Sequence, residues 1–202
     1  MSEHNSQLDA PPLAGRFLAA SGVIVAAYVL CHGITALVVT PLQSMLFQDI
    51  TVFASIAYLP HGVRVMSIWL WGWKALPALC IGAYLSELIF TPDAAAAITE
   101  PVLYASIAVG MLSAYLGFEL LRIAGSIDYA GGETRPTWRA LLVVGVVTSL
   151  FNSFGQSFVF GGLMPQAIWG PVTVFYAIGD VVGLCLVVLA MVAIRRRFFA
   201  DR

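Results

Sequence analysis

The sequence predicts an all-α fold: a polytopic membrane bundle of six transmembrane helices, the second kinked at Pro60. Three observations predict it. The 202 residues are 60% hydrophobic and only 10% charged, with a mean hydropathy of +0.90, whereas a soluble domain carries about 25% charged residues. The apolar residues fall in continuous runs, and about 20 such residues in a helix cross a bilayer. Nine of the ten Lys and Arg residues fall on one side of the topology these runs imply. The same figures exclude other classes. There are too few charges to cover a soluble enzyme. A formal net charge of −1 gives no field to attract nucleic acid. The apolar content rules out disorder.

The elements follow in order. Residues 1–16 read as a polar cytoplasmic tail. The apolar run after Arg16 exceeds the core of about 7–15 residues in a cleavable signal peptide. Residues 17–194 form one transmembrane domain. Its first span is 17–39. The second is 46–73, where Pro60 removes a backbone donor. The third has Pro77 early and ends near Phe90, and the fourth is 102–123. A polar stretch, 124–137, leads to the fifth span at 138–160. Gly161, Gly162 and Pro165 make a tight outer turn before the sixth, 167–194. Residues 195–202 are a basic tail. Continuous runs argue against a barrel, whose strands alternate. Arg16, Lys74, Arg122, Arg135, Arg139, Arg195, Arg196, Arg197 and Arg202 all fall inside when both termini are cytoplasmic. The outer loops, 40–45, 91–101 and 161–166, carry no Lys or Arg.

Arg64 is the exception. It lies ten positions before Lys74, about 15 Å of helix, and so near mid-membrane. An Arg there costs about 2.5–3.5 kcal/mol on insertion scales, so it must face the interior and find acceptors. Asp180, at similar depth, is the expected partner. The fifth span carries Ser149, Asn152, Ser153, Gln156 and Ser157 at i, i+3, i+4, i+7, i+8, one helix face. That face expects either interhelical hydrogen bonds or a wet site. Thr51, Ser55, Tyr58, His61 and Arg64 repeat the theme in the second span, and Thr173, Tyr176 and Asp180 in the sixth. His32 and Glu87 lie at comparable depth. The expected ligand site is therefore Arg64, Asp180, His61, Tyr58, Asn152, Gln156, Ser153, Tyr176, His32 and Glu87, forming a midplane cavity for a small solute or ion.

No catalytic residues and no cofactor are expected. No helix carries His or carboxylates at metal-ligand spacing, so no metal is expected either. Cys31, Cys80 and Cys185 are unclustered and read as buried thiols. Gly15, Ala19, Gly22 and Ala26 form a small-residue ridge along the first span, fit to pack within the fold or to dock a membrane protein partner.

Several motifs resemble those of a known family. Tyr58-Leu59-Pro60-His61-Gly62 looks like the aromatic-x-Pro-x-Gly element of the bacterial membrane-associated sensor domain found ahead of histidine kinases and diguanylate cyclases. Gly72-Trp73-Lys74-Ala75-Leu76-Pro77, Gly82-Ala83-Tyr84-Leu85 and Gly179-Asp180-x-x-Gly183 are similar to its later elements, in order. The resemblance implies a sensor in a bacterial inner membrane. Only residues 198–202 follow the basic cluster, so a separate output partner is expected. The size, six spans and first-helix ridge also resemble the substrate-capturing subunits of energy-coupling-factor transporters, on architecture alone. A third reading is an assembly subunit of a larger membrane complex.

Overall fold

The computed structural model describes residues 13–90, 100–132 and 138–199. The remaining parts of the expected tails and loops, with Arg135 and Arg202, lie outside the described residues. All regular structure within them is helical. The elements are α1 (Leu13–Ile34), α2 (Thr40–Ser44), α3 (Gln48–Thr51), α4 (Leu59–Trp71), α5 (Leu76–Phe90), α6 (Glu100–Ile123), α7 (Trp138–Phe160) and α8 (Trp169–Phe199). Five segments are long and apolar enough to cross a membrane: Gly15–Ser44, Leu59–Phe90, Pro101–Ile123, Arg139–Phe160 and Gln166–Arg197.

The molecule is apolar outside and polar within. Phe158 is 84% exposed and Leu18 70%, while Arg64, Asp180, Asn152 and Gln156 are buried. Water would not tolerate so much exposed apolar side chain, whereas lipid solvates it. α4 is the central helix and touches α1, α6, α7 and α8. Pro60 through Ile68 are buried without a break, so α4 has no lipid face in its first two and a half turns. The main core gathers Tyr28, Ile68, Leu79, Phe118, Val144 and Leu184 around it.

The segment Leu59–Phe90 is a hairpin. The His32 ring centroid is 6.1 Å from that of Tyr58, just before α4, and 6.0 Å from that of Phe90, at the end of α5. A continuous helix would hold those ends roughly 48 Å apart at 1.5 Å per residue. Gly72, at φ +57, turns the chain, and a 3-10 turn, Gly72–Ala75, leads into α5. Lys74 and both Trp71 and Trp73 sit at this turn, where a membrane interface favours them.

Two expectations change. Thr40–Ser44 is not a loop: α1 continues through a π-helical turn, Thr35–Val39, into α2. Pro60 does not kink a longer helix either. It occupies the first turn of α4, where its missing N–H would have had no intrahelical partner anyway. The break lies before it, in residues 52–58, which are not helical. The fifth span agrees with expectation at both ends, and the sixth runs on through the basic cluster to Phe199.

Candidate functional site

The non-helical residues 52–58 need partners for their backbone, because no water reaches such depth in a bilayer. Side chains of the first segment supply them. Gln43 donates from Nε2 to the Ala54 carbonyl at 2.8 Å and accepts from the Ile56 N–H at 2.6 Å. The π-helical turn aims Thr35 at the same stretch. Its hydroxyl donates to the Ala57 carbonyl at 3.4 Å and accepts from the Leu59 N–H at 3.2 Å. On the other side α8 approaches through glycines, and the Tyr58 N–H donates to the Gly179 carbonyl at 2.9 Å. A Cβ on Gly179 would collide with the Ser55 carbonyl oxygen, and one on Gly183 with that of Tyr58. The Tyr58–Gly62 and Gly179–Gly183 motifs, 121 positions apart (58 to 179), are therefore two halves of one contact.

This contact sets Arg64. The residue is 3% exposed. Nη2 donates to the hydroxyls of Tyr28 at 2.7 Å and Tyr58 at 3.2 Å. The cation also lies 5.6 Å and 5.1 Å from those ring centroids, within cation–π range. Gly110 of α6 makes room for it: a Cβ there would stand 2.7 Å from Cζ. Nε and Nη1 have no hydrogen-bond partner.

The expected Arg64–Asp180 ion pair is not formed. Among the described residues Arg122 pairs with Glu119, and Asp180 lies within ion-pair distance of His61, whose ring is charged only when protonated. Asp180 Oδ2 lies 3.3 Å from His61 Nδ1 and accepts from Asn152 Nδ2 at 2.7 Å. Residues three apart on a helix point about 60° apart, so His61 and Arg64 address different neighbours. His61 faces α7 and α8, whereas Arg64 faces α1 and α6. His61 Nε2 in turn meets the Thr148 hydroxyl at 3.1 Å.

The polar face of α7 points inward as expected, and every member has a protein partner. Ser149 donates to the Ala177 carbonyl at 2.9 Å, Ser153 to the Ser149 carbonyl at 2.6 Å, and Ser157 pairs with Thr173 at 2.6 Å. Gln156 donates to the Ser106 carbonyl at 3.0 Å and accepts from the Ser106 hydroxyl at 2.9 Å. This face sews α7 to α6 and α8. His32 stacks against Phe90 and meets Tyr58 edge-on. Glu87, half-buried on α5, acts electrostatically on both His32 and Tyr58. Tyr176 packs at a second, smaller core around Ala54, Met164 and Val172.

Sequence reasoning missed Tyr28, Thr35, Gln43, Gly110 and Thr148 as members of the site. Two had a signal. Tyr28 is four residues before His32 and Thr148 four before Asn152, so each shares a helix face with a residue already singled out. Five of the residues expected to line a midplane cavity form a closed cluster at most 8% exposed: His32, His61, Arg64, Asn152 and Asp180. An open cavity of about 320 Å³ lies instead at the α4–α5 turn, lined by Leu70, Trp71, Gly72, Trp73, Lys74 and Tyr129.

No family model, no curated protein and no solved structure matches the chain. What the fold and site define is a class: a multi-pass bundle of helices apolar enough to span a membrane, wrapped around a buried ionisable cluster.

Proposed function

We propose that this is a six-crossing bacterial inner-membrane protein that binds a small anion at Arg64 and signals occupancy to a partner protein. Both halves of the α4–α5 hairpin count as crossings, with the termini cytoplasmic beside the basic residues. The observation that carries the reading is the buried guanidinium with Nε and Nη1 unpartnered. An unmet buried donor costs about 1–3 kcal/mol, more on a charged group, on top of the cost of placing Arg in a membrane. Guanidinium is also the side chain best suited to carboxylate and phosphate oxygens. Because the cluster is closed, an anion enters only if α6 parts from α4. Occupancy then shifts helix packing, which a partner can read. The partner docks on α1, where Ala19, Gly22 and Ala26 face outward and a Cβ on Gly22 would meet nothing within 4 Å. The sensor-domain resemblance of the Tyr58 and Gly179 motifs supports the same reading.

A transport role is favoured by one observation, the unwound stretch 52–58 beside the site, a device transporters use. Thermal unfolding of the purified protein with chloride, acetate or inorganic phosphate tests the binding reading. At least one anion should stabilise the wild type and leave Arg64→Gln unmoved. At Gly110→Ala the atoms nearest the new Cβ are the far end of the Arg64 side chain, so the variant should fold yet lose at least tenfold in affinity, about 1.4 kcal/mol. Equal shifts in wild type and Arg64→Gln would refute anion binding. Uptake of the same anion into proteoliposomes would move the assignment from sensing to transport.

A further inference from the structure

We infer that His61 and Asp180 form a proton-binding site, with Thr148 as the switch that reports its state. The inference rests on counting hydrogens and does not depend on the anion reading. Asp180 Oδ2 already accepts from Asn152, while Oδ1 has no partner, and the residue is 1% exposed. His61, also 1% exposed, has Nδ1 at 3.3 Å from Oδ2 and Nε2 at 3.1 Å from Thr148 Oγ1. Thr148 Oγ1 lies 3.1 Å from the Gly145 carbonyl as well. Its single hydrogen serves one of these two acceptors at a time.

When the hydroxyl points to His61, Nε2 accepts and the neutral ring carries its hydrogen on Nδ1, 3.3 Å from Asp180 Oδ2 but off the line of a hydrogen bond. The carboxylate charge is then buried with Oδ1 unsolvated, which burial penalises. When the hydroxyl turns to Gly145, His61 donates from Nε2. Nδ1 then presents a lone pair to Oδ2, and the contact is repulsive unless one more proton is present on the pair. That proton comes from bulk water, binds Asp180 or Nδ1, and breaks no other bond. The two hydroxyl positions thus match two proton counts, and the pair carries a net charge of −1 or 0.

The groups facing the pair define its field. Arg64 on α4 acts on both His61 and Asp180, and Asp180 on Tyr176 of its own helix, whereas Tyr28, Tyr58, His32 and Glu87 gather around Arg64 on its other side. α7 contributes the neutral Thr148, Ser149, Asn152 and Ser153. Loading the proton removes a negative charge near Arg64, so if Arg64 holds an anion, proton and anion bind together. That corollary rests on the proposed function; the proton site does not.

Infrared difference spectroscopy on ligand-free protein in phosphatidylcholine bilayers, titrated in pH, tests the site. The wild type should show a protonated-carboxyl C=O band that changes with pH, shifts in D2O and is absent from Asp180→Asn. His61→Gln should keep a carboxyl band but move the pH at which it changes. Thr148→Val should move it too, because the hydroxyl can no longer serve either acceptor. A wild type with no such band, or a band unchanged in Asp180→Asn, overturns the proposal. Should Asp180→Asn not fold, 13C-aspartate spectra of the wild type read the same event: a buried carboxyl signal whose titration coincides with a His61 ring 15N change supports it, and independent titrations overturn it. With acetate or phosphate added, pH-independent binding alongside an intact band would sink only the coupling.

Discussion

Gly179→Val should be the most damaging single change in the bundle, lowering stability by about 3 kcal/mol or more. The new Cβ would strike the Ser55 carbonyl oxygen, and that oxygen cannot swing away. It belongs to a backbone pinned at Ala54 and Ile56 by Gln43 and at Tyr58 by Gly179 itself. α8 must therefore retreat, which opens the Ser149–Ala177 and Asn152–Asp180 bonds with it. Gly183→Val should behave alike, against the Tyr58 carbonyl. Gly22→Val and Gly170→Val are the controls, since nothing lies within 4 Å of a Cβ at either position. Unfolding in mixed micelles measures all four. A Gly179→Val protein as stable as Gly22→Val would show that residues 52–58 do not lie against α8.

The second large effect is expected at Gln43. Gln43→Met keeps the length and loses both hydrogen bonds, leaving the Ala54 carbonyl and the Ile56 N–H without partners in an apolar setting. At about 1–3 kcal/mol for each of the two unmet groups, the loss should reach roughly 2–6 kcal/mol. Hydrogen exchange should accelerate at Ile56 and its neighbours while α7 stays protected. Gln43→Glu retains the acceptor for Ile56 and should recover part of that local protection. Unchanged exchange at Ile56 in Gln43→Met would mean the clamp is not what holds the segment.

The parts of the fold legible in sequence are those that lipid dictates. Residues 138–160 were readable to both ends because one helix buries a polar face and shows lipid an apolar one. Residues 46–73 were not. Val52, Phe53, Ala54, Ile56 and Ala57 read as more apolar helix, but their conformation is set by Thr35, Gln43 and Gly179, far away in sequence. Pro60 was a true signal of a boundary, and only its side was misjudged. At the site, depth along the chain puts Arg64, His61 and Asp180 at one level, and all three are buried, but depth does not give rotation about each helix. Sequence logic looked for a carboxylate to face the guanidinium, whereas the structure supplies two tyrosine hydroxyls and their rings.

The central place of α4 has a consequence for how the protein is made. A helix surrounded by α1, α6, α7 and α8 has only α1 beside it when it leaves the ribosome. Tyr28 is already in the membrane to receive Arg64. His61 waits for Thr148 on α7, and then for Asp180, more than a hundred residues later. A nascent chain stopped before α8 thus holds a histidine without its carboxylate and an unwound stretch of backbone clamped from one side alone, by Thr35 and Gln43.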